Sequence, residues 1–295
     1  MDLDNLIIND FCIIDDAKKE ILQDKRIRER GPEPVMDDSE IMTIEVIGEI
    51  LGINTDKKLF EYFRRHYSHF FPSLTRISRV TFIRQAANLC WLKEKVWQYL
   101  LKFIEHDPSL GIVDSFPIPV CLFARAPTCK RFAGEASFGK DRLIRQTFYG
   151  FRLHVRISKQ GLITRFVLAP ANEQDTSVMP EVVEDWIGTV IGDRNYWSPI
   201  LKEELAKQGI ELIAPFKLRS KDPWPETNKF INHIRYTIET VFSQLTERYH
   251  IKKVWARDRW HLLSRLYRKI LSHTLAFLVN QKIGNSPLEI GKLFV

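Results

Sequence analysis

Three acidic residues with different surroundings are the strongest chemical signal in the chain. Asp114 lies in an apolar run at 111–117, Asp193 follows an apolar run at 189–192, and Glu239 lies in a helix-like segment at 234–242. A carboxylate at the end of a buried strand costs free energy unless something pairs with it. Three converging carboxylates would repel one another unless a divalent cation neutralised them. The pattern therefore favours a two-metal phosphoryl-transfer site, in which carboxylate oxygens hold two hard cations.

The composition is that of an ordinary globular protein with a basic surplus. The chain has 295 residues, 44% hydrophobic and 27% charged, with a net charge of +7, and this length suggests two domains. Residues 125–158 hold eight basic and two acidic residues, and residues 248–269 hold eight basic and one acidic. Either cluster alone could be a solvated face. Two clusters that flank the proposed carboxylate site favour binding to the phosphates of a polyanion.

The cysteine pattern and the hydropathy exclude several classes of protein. The four cysteines, at positions 12, 90, 121 and 129, form no Cys-x-x-Cys pair, so we expect reduced thiols rather than a zinc module. The acidic N-terminus lacks the features of a signal peptide, and no apolar run approaches the ~20 residues of a membrane span. We therefore expect a cytoplasmic protein with no membrane partner.

The first 106 residues predict an all-helical domain. Helical segments are expected at 1–24, 38–51, 55–66 and 78–106, with Asp38 or Ser39 capping the second. The charge and size suit a helix-turn-helix-like DNA-binding domain at 1–106, whose last helix would present four outward side chains: Arg79, Arg84, Gln85 and Asn88. The alternatives are a plain helical bundle and a dimerisation domain.

The rest of the chain predicts an α/β domain at 107–283, followed by a tail at 284–295. Strands are expected at 111–121, 146–157, 162–170, 188–192 and 211–216, and helices at 175–186, 198–208, 228–249 and 261–281. The order predicts a mixed five-stranded sheet with flanking helices, in which the later strands pair in parallel. Asp193 then lies at the carboxyl end of the fourth strand, where open α/β sheets bind their ligands.

Several neighbouring residues have competing interpretations. Asp175 competes with Asp193 as the second acid, although its place at a helix start suits an N-cap. Asp193 could instead form a structural ion pair with Arg194. Glu239 could be solvated, but its apolar neighbours indicate a partly buried side of the helix. The remaining assignments are structural: His154 to the core, and Tyr196 and Trp197 to core packing rather than to base stacking.

The chain resembles the DDE transposases of bacterial insertion sequences, and most closely the insertion sequence 982 family, on motifs spread along its whole length. The resemblance is carried by Ile-Val-Asp-Ser-Phe-Pro at 112–117, by Gly-Asp-Arg-Asn-Tyr-Trp-Ser at 192–198 and by Arg-Tyr-Thr-Ile-Glu-Thr-Val-Phe at 235–242. Further matching segments lie at 62–72, 131–139, 147–154 and 168–172. The resemblance implies a ribonuclease-H-like core in the catalytic domain.

The resemblance also implies the reaction and the site. An enzyme of this family binds terminal inverted repeats, cuts DNA there and joins the ends to target DNA. Asp114, Asp193 and Glu239 match the metal-binding triad, with two Mg²⁺ ions that Mn²⁺ can replace. Two DNA ends must be held, so we expect a homodimer on DNA in the bacterial cytoplasm. The residues expected to contact DNA are Arg79, Arg84, Lys130, Arg131, Arg142, Arg235, Arg248 and Lys252.

The segment around Glu239 departs from the pattern of related families, which is Tyr-x2-Arg-x3-Glu-x6-Lys. Arg235 is kept, four residues before Glu239, where it can restrain the glutamate or reach a substrate phosphate. Asn232 stands in place of the tyrosine and Thr246 in place of the DNA-contacting lysine, for which Arg248 or Lys252 could substitute. Two other functions remain open: a nuclease of the same fold that hydrolyses without joining, and an inactive, transposase-derived DNA-binding regulator.

Overall fold

The computed structural model describes residues 1–23, 25–28, 30–141, 144–215 and 225–294, with the side chains of 225–230, 232, 233 and 294 outside the description. The predicted DNA contact Arg142 therefore lies outside the described residues. The chain divides into two compact units. The helical unit comprises Met1–Ile104 and Leu245–Val295, and the sheet unit comprises Glu105–Gln244.

The described residues form nine α-helices and six β-strands. The helices are α1 (Leu3–Leu22), α2 (Asp38–Ile50), α3 (Asp56–His66), α4 (Arg79–Asn88), α5 (Cys90–Leu101), α6 (Asp175–Val182), α7 (Pro199–Ala206), α8 (Pro225–Ser243) and α9 (Arg259–Lys282). The strands are β1 (Leu110–Pro119), β2 (Ser137–Asp141), β3 (Gln146–Ser158), β4 (Ile163–Pro170), β5 (Gly188–Gly192) and β6 (Ile210–Ile213).

Short polar side chains set where the helices of the helical unit begin. Asp37 caps α2 through a capping box with Glu40, so neither Asp38 nor Ser39 is the cap as predicted. Thr55 caps α3, Ser78 caps α4 and Asp258 caps α9, each by accepting a hydrogen bond from a first-turn N–H. These acceptors satisfy N–H groups that have no partner inside the helix.

The helix predicted at 78–106 is wrong in its continuity, because the chain breaks at Leu89 into α4 and α5. Gln85 is also misplaced by the prediction: its side chain is buried, not outward. Its amide donates hydrogen bonds to the Met36 carbonyl at 2.9 Å and to Asp38 Oδ1 at 2.8 Å. A buried amide needs such partners, and Gln85 thereby ties α4 to the start of α2.

The last long helix belongs to the helical unit, whereas the predicted catalytic domain at 107–283 had included it. α9 packs against α2 and α5 and is buried along most of its length. Its basic side chains explain the grouping. Arg268 pairs with Glu49 at 2.6 Å, and Lys269 pairs with the same carboxylate at 2.6 Å. Lys93 of α5 pairs with Glu45 at 2.6 Å. Part of the basic cluster at 248–269 is therefore buried, not solvated.

The sheet unit contains a six-stranded mixed sheet built around the long strand β3. β3 pairs antiparallel with β1, β2 and β4, while β5 pairs in parallel with both β1 and β6. The predicted mixed sheet and the parallel pairing of the later strands are confirmed. The sheet has one strand more than the five predicted, because β2 lies in a stretch with glycine and charged residues that indicated only a connection.

Helices cover the sheet with apolar side chains. Met179 and Val182 of α6 and Leu201 and Leu205 of α7 share a buried cluster with strand residues such as Val190. On α8, buried isoleucines and a valine recur at helical spacing: Ile231, Ile234, Ile238 and Val241. This helix packs on β1, where the Phe242 and Phe116 rings meet edge to face at 4.6 Å. None of the described helices is long and apolar enough to cross a membrane.

Candidate active site

The strand register places two of the three predicted acids side by side. β1 and β5 run in parallel with Val113 opposite Gly192. The next residue on each strand path is an aspartate, Asp114 within β1 and Asp193 immediately after β5. Neighbouring parallel strands keep the same residue spacing. The register therefore brings these two carboxylates next to each other at the point where β5 ends.

Arg235 of α8 binds both carboxylates at once. Its Nη2 donates to Asp114 Oδ2 at 3.2 Å and its Nη1 donates to Asp193 Oδ1 at 3.3 Å. The side chains of Asp114, Asp193 and Arg235 are 21%, 29% and 20% exposed, so solvent reaches all three. The predicted partners of Arg235 were Glu239 or a phosphate. The guanidinium instead pairs with the two aspartates.

Backbone N–H groups fix the orientation of each carboxylate. The Ser115 N–H donates to Asp114 Oδ1 at 2.8 Å, and the Arg194 N–H donates to Asp193 Oδ1 at 2.6 Å. Asn195 Nδ2 donates to Asp193 Oδ2 at 3.1 Å. Asp193 thus caps the short 3₁₀ helix at 194–196. The alternative ion pair between Asp193 and Arg194 does not form, because only the backbone of Arg194 binds the carboxylate.

Burial and charge act in opposite directions on Asp114. Burial raises the pKa of its carboxyl to about 6, and the nearby charge of Asp193 adds to the rise. Arg235 and the Ser115 N–H lower this pKa but do not cancel the effect of burial. One guanidinium is thus too little positive charge for two carboxylates in this environment.

Glu239 lies on α8 one turn after Arg235, and its side chain is exposed. The expectation of a partly buried Glu239 is wrong, because its buried neighbours Ile238 and Val241 lie on another side of the helix. Among the described residues, no ion pair or hydrogen bond joins Glu239 to Arg235, the cation that the two aspartates share. The residues that the structure describes also contain no group of three or more His, Cys, Asp or Glu side chains arranged to hold a metal ion.

A polar network that the sequence did not reveal lies beside Asp114. Asp175 is the first residue of α6 rather than its N-cap, which is Gln174. Asp175 Oδ1 accepts a hydrogen bond from Ser115 Oγ at 3.1 Å. Arg152 Nη1 also approaches Ser115 Oγ, at 3.4 Å. The one available signal was that Ser115 directly follows Asp114.

His154 and Tyr196 form the buried side of this network. His154 Nδ1 lies 3.1 Å from the Tyr196 hydroxyl, and both residues are buried. Burial, with a smaller contribution from Arg152, lowers the pKa of His154 to about 3, so the ring is neutral near neutral pH. The structural assignment of His154 and the core packing of Tyr196 are confirmed. Trp197 is half-buried.

The predicted DNA contacts are distributed over both units. In the helical unit Arg79 and Arg84 are exposed on α4, and in the sheet unit Lys130 and Arg131 are exposed between β1 and β2. Arg248 is half-buried and donates to the Ile50 carbonyl at 3.2 Å. Lys252 is also half-buried, as is Arg235, which pairs with the two aspartates. Contact of these residues with DNA stays a prediction.

The acid pair has the donor chemistry that a hard divalent cation needs. Carboxylate oxygens are the preferred ligands of Mg²⁺ and Mn²⁺. Asp114 and Asp193 converge on a single cationic group, which in this structure is the guanidinium of Arg235. A metal ion that replaced this guanidinium would meet oxygens of both aspartates. The two aspartates therefore offer part of the oxygen ligand set of a divalent cation, and Glu239, one helical turn after Arg235, is not grouped with them in this structure.

One solved structure shares the fold. A piggyBac transposase, determined by cryo-electron microscopy as a synaptic complex with hairpin DNA, superposes with a TM-score of 0.51 over 97% of this chain and 77% of that chain, at 10% sequence identity. Its core is ribonuclease-H-like, which confirms the predicted fold class. No curated protein sequence matches the chain.

A known sequence family covers the acid pair. A transposase DDE domain matches residues 106–259, more than half of the chain, and this range contains Asp114, Asp193 and Glu239. Transposase DDE domains are enzymes of the polynucleotidyl-transferase type and generally use divalent metal ions. The chain therefore belongs to the DDE transposase family.

Proposed function

We propose that the chain is the transposase of a bacterial insertion sequence of the insertion sequence 982 type. In this proposal it cuts DNA at terminal inverted repeats and joins the freed ends to target DNA. The observation that carries the proposal is the pair of adjacent carboxylates, Asp114 and Asp193, which share the single guanidinium of Arg235. Such a site is short of positive charge, as a site for divalent cations must be before they bind.

The proposed roles follow from the positions of the side chains. Asp114, Asp193 and Glu239 would hold two Mg²⁺ ions, which Mn²⁺ can replace. Bound cations of this kind activate the attacking hydroxyl and stabilise the leaving oxygen of an in-line displacement. The Ser115 and Arg194 N–H groups each bind one oxygen of an aspartate, Asp114 and Asp193 respectively, and so hold the two carboxylates in fixed orientations. This fixed orientation limits the reorganisation needed when substrate binds.

Arg235 would have two successive partners. Without DNA it neutralises part of the charge on the aspartate pair. Once cations occupy the site, its guanidinium is free to donate to a phosphate oxygen of the DNA strand, which a planar fork of N–H donors suits well. Lysine carries one point charge without this fork, so Arg235→Lys should preserve stability better than activity.

DNA is the proposed partner, with transposon ends and target DNA bound in turn. The similar piggyBac transposase is described in a synaptic complex with hairpin DNA. We propose that two copies of this chain hold two DNA ends as a homodimer in the bacterial cytoplasm. The exposed cations Arg79, Arg84, Lys130 and Arg131 are proposed to contact the DNA backbone.

Strand cleavage and joining on a labelled duplex test the proposal. The duplex carries the terminal inverted repeat that flanks the gene, and the reaction contains Mg²⁺. Wild type should nick at the repeat boundary and give joined product, whereas Asp193→Asn and Glu239→Gln should lose about a thousandfold in rate, or about 4 kcal/mol of transition-state stabilisation. Matched controls are Asp16→Asn on α1 and Glu204→Gln on α7, two exposed acids outside the site.

Each other outcome has a definite meaning. Undiminished cleavage by Asp193→Asn would refute the assignment of the aspartate pair. Metal-dependent nicking without joined product would identify a nuclease of the same fold. Tight binding of the repeat without cleavage by wild type would identify a DNA-binding regulator instead of an active transposase.

A further inference from the structure

A second polar site lies in the helical unit. Its lining does not include the two aspartates of the candidate active site. It is a cavity of about 340 Å³, lined by the start of α3, by Arg79 and Ile83 of α4, by residues 253–255 and by α9. The volume is within the range of small-molecule sites and is large enough for part of one nucleotide. Of the lining residues, only Arg79 has a role in the proposed reaction, as a contact to the DNA backbone.

Basic side chains outnumber acidic ones in the lining. Six cations line the cavity against one acid, Asp56; the cations are Lys57, Arg79, Lys253, Arg265, Arg268 and Lys269. The amino end of α3, capped by Thr55, also faces the cavity, and a helix amino end carries partial positive charge. An anion is therefore the ligand that this lining favours.

The floor and the rim of the cavity differ in their partners. On the floor, Asp56 binds Arg268 at 2.9 Å and Arg265 at 2.5 Å, and Lys269 binds Glu49 at 2.6 Å. These pairs neutralise much of the floor and hold it in place. At the rim, the side chains of Lys57, Arg79 and Lys253 are exposed, and the one ion pair among them is the 3.9 Å contact of Lys57 with the exposed Glu61 in the described part of the chain. The rim cations are therefore the groups that would meet an incoming phosphate.

An exposed tryptophan stands beside these cations. Trp255 lines the cavity with 61% of its surface exposed, an unusual exposure for so large an apolar side chain. Trp260, which is 49% exposed, follows five residues later, and Arg257 between them is exposed as well. Alternation of exposed aromatic and basic side chains is typical of surfaces that bind unpaired nucleic-acid strands, where bases stack on the rings.

We propose that this cavity binds an unpaired stretch of a DNA strand, with a phosphate at Lys253, Arg79 and Lys57 and a base stacked on Trp255. The inference rests on the proposed function in one respect, that DNA is the substrate. A free nucleotide would fill the cavity alone, whereas the exposed cations and the second tryptophan continue along 257–260, beyond the cavity. A continuing strand fits this arrangement better than a single nucleotide does.

Fluorescence anisotropy with the full-length protein tests the proposal. The two probes are a fluorescein-labelled oligothymidylate of about 20 nucleotides and a blunt duplex of the same length, both in EDTA so that no cleavage contributes. Trp255→Ala should weaken binding of the oligothymidylate about tenfold, the loss of one stacked base, and should leave duplex binding within about twofold. Trp255→Phe should retain most of the affinity, because its ring still stacks.

A charge substitution and two matched controls complete the test. Lys253→Glu should weaken binding of the oligothymidylate at low salt and reduce its salt dependence by about one phosphate contact. The controls are Trp91→Ala, a tryptophan on α5 with 46% of its surface exposed, and Lys102→Glu, an exposed lysine just after α5. Both should bind like wild type.

The proposal is overturned if Trp255→Ala binds the oligothymidylate like wild type, or if Trp91→Ala loses as much affinity. Unlabelled thymidine mononucleotide should compete more weakly than unlabelled oligothymidylate at the same concentration of nucleotides. Equal competition by the two would contradict the proposal and would assign the cavity to a free nucleotide. Because the assay contains no metal and measures no cleavage, these results are independent of whether Asp193→Asn abolishes strand transfer. Failure of this proposal therefore leaves the proposed transposase activity standing, and the reverse holds too.

Discussion

The two units each contain a cluster of acidic and basic side chains, and the clusters differ in charge balance and in access to solvent. In the helical unit, Glu49 and Arg268 are 3% and 4% exposed, and the surrounding cluster has three acids and four cations: Glu45, Glu49, Asp56, Lys93, Arg265, Arg268 and Lys269. In the sheet unit, Asp114 and Asp193 are 21% and 29% exposed, and Arg235 is the one cation among the described residues that pairs with them.

The balance of acids and cations shifts the pKa of an aspartate in opposite directions in the two clusters. Burial on its own would raise the pKa of Asp56, but Arg268 and Arg265 outweigh it and lower the pKa to about 2. Burial raises the pKa of Asp114 to about 6, because Arg235 compensates only in part. A cluster whose acids are fully paired holds helices together, whereas an open and underpaired cluster has capacity left for a cation.

The paired cluster of the helical unit around Glu49 and Arg268 is the closed cluster, and breaking it should have the largest effect on stability. Glu49→Gln leaves Arg268 and Lys269 buried with one acid fewer, and loss of one partner of a buried ion pair costs about 3 to 5 kcal/mol. Urea unfolding should show this loss as a lower midpoint with little change in slope.

The same measurement on exposed and underpaired acids provides the contrast. Glu61→Gln removes an exposed acid of α3 that lies 3.9 Å from Lys57, and it should change stability by less than about 1 kcal/mol. Asp193→Asn should leave stability unchanged or raise it, since it relieves repulsion with Asp114. A loss from Asp193→Asn as large as that from Glu49→Gln would remove the distinction between the two clusters.

The pH dependence of stability should have opposite signs in the two clusters. An Asp56 pKa of about 2 stabilises the fold above an unfolded-state pKa near 4, and this contribution disappears as the pH falls through 2. An Asp114 pKa of about 6 has no effect below pH ~4, and it lowers stability as the pH rises from about 4 to 6. The second effect amounts to at most about 3 kcal/mol.

Two substitutions separate these contributions. The loss caused by Asp56→Asn should be largest above pH ~4 and should shrink as the pH falls towards 2. The gain caused by Asp114→Asn should grow between pH ~4 and ~6 and then stay constant. Urea titrations of both variants and wild type across this range provide the measurement. If both differences change with pH in the same direction, the charge balance does not set these pKa values.

The sequence is sufficient to predict the aspartate pair but not its counter-ion. The convergence of Asp114 and Asp193 was expected from their places in two strands and from the family resemblance, and the parallel pairing of the later strands followed from connection lengths. Arg235 was expected beside Glu239, four residues away on the same helix. Its actual partners are 121 and 42 residues distant. The approach of α8 to β1 decides this pairing, and no local pattern encodes that approach.

The closed cluster also could not be predicted from the sequence. Arg268 and Lys269 belong to a stretch of basic residues that resembles a phosphate-binding surface. Both side chains are buried against Glu49, about 220 positions earlier in the chain. A run of basic residues predicts exposed side chains, because most charged side chains are solvated. Arg268 and Lys269 are buried instead because an acid of a distant helix pairs with them, and the composition of a local segment cannot reveal such a partner.

Metal binding should have a smaller effect on stability than the loss of Glu49, and it should distinguish the clusters most directly. Mg²⁺ at about ten times its dissociation constant should stabilise the protein by about 1.4 kcal/mol. We expect a high dissociation constant without DNA, because Mg²⁺ prefers to complete its coordination with substrate phosphates. Thermal unfolding with Mg²⁺ and with EDTA measures the difference, and Mn²⁺ should act in the same way.

The variants assign this effect to one cluster. Asp193→Asn should remove the stabilisation by Mg²⁺, whereas Glu49→Gln should lower the baseline stability and keep the increment, since Glu49 already has Arg268 and Lys269 as partners. Glu239→Gln should reduce the increment if its side chain turns towards the aspartate pair when a cation binds. An increment that survives Asp193→Asn unchanged would mean that Mg²⁺ binds elsewhere, and the open charge balance of the pair would then be a feature of the fold alone.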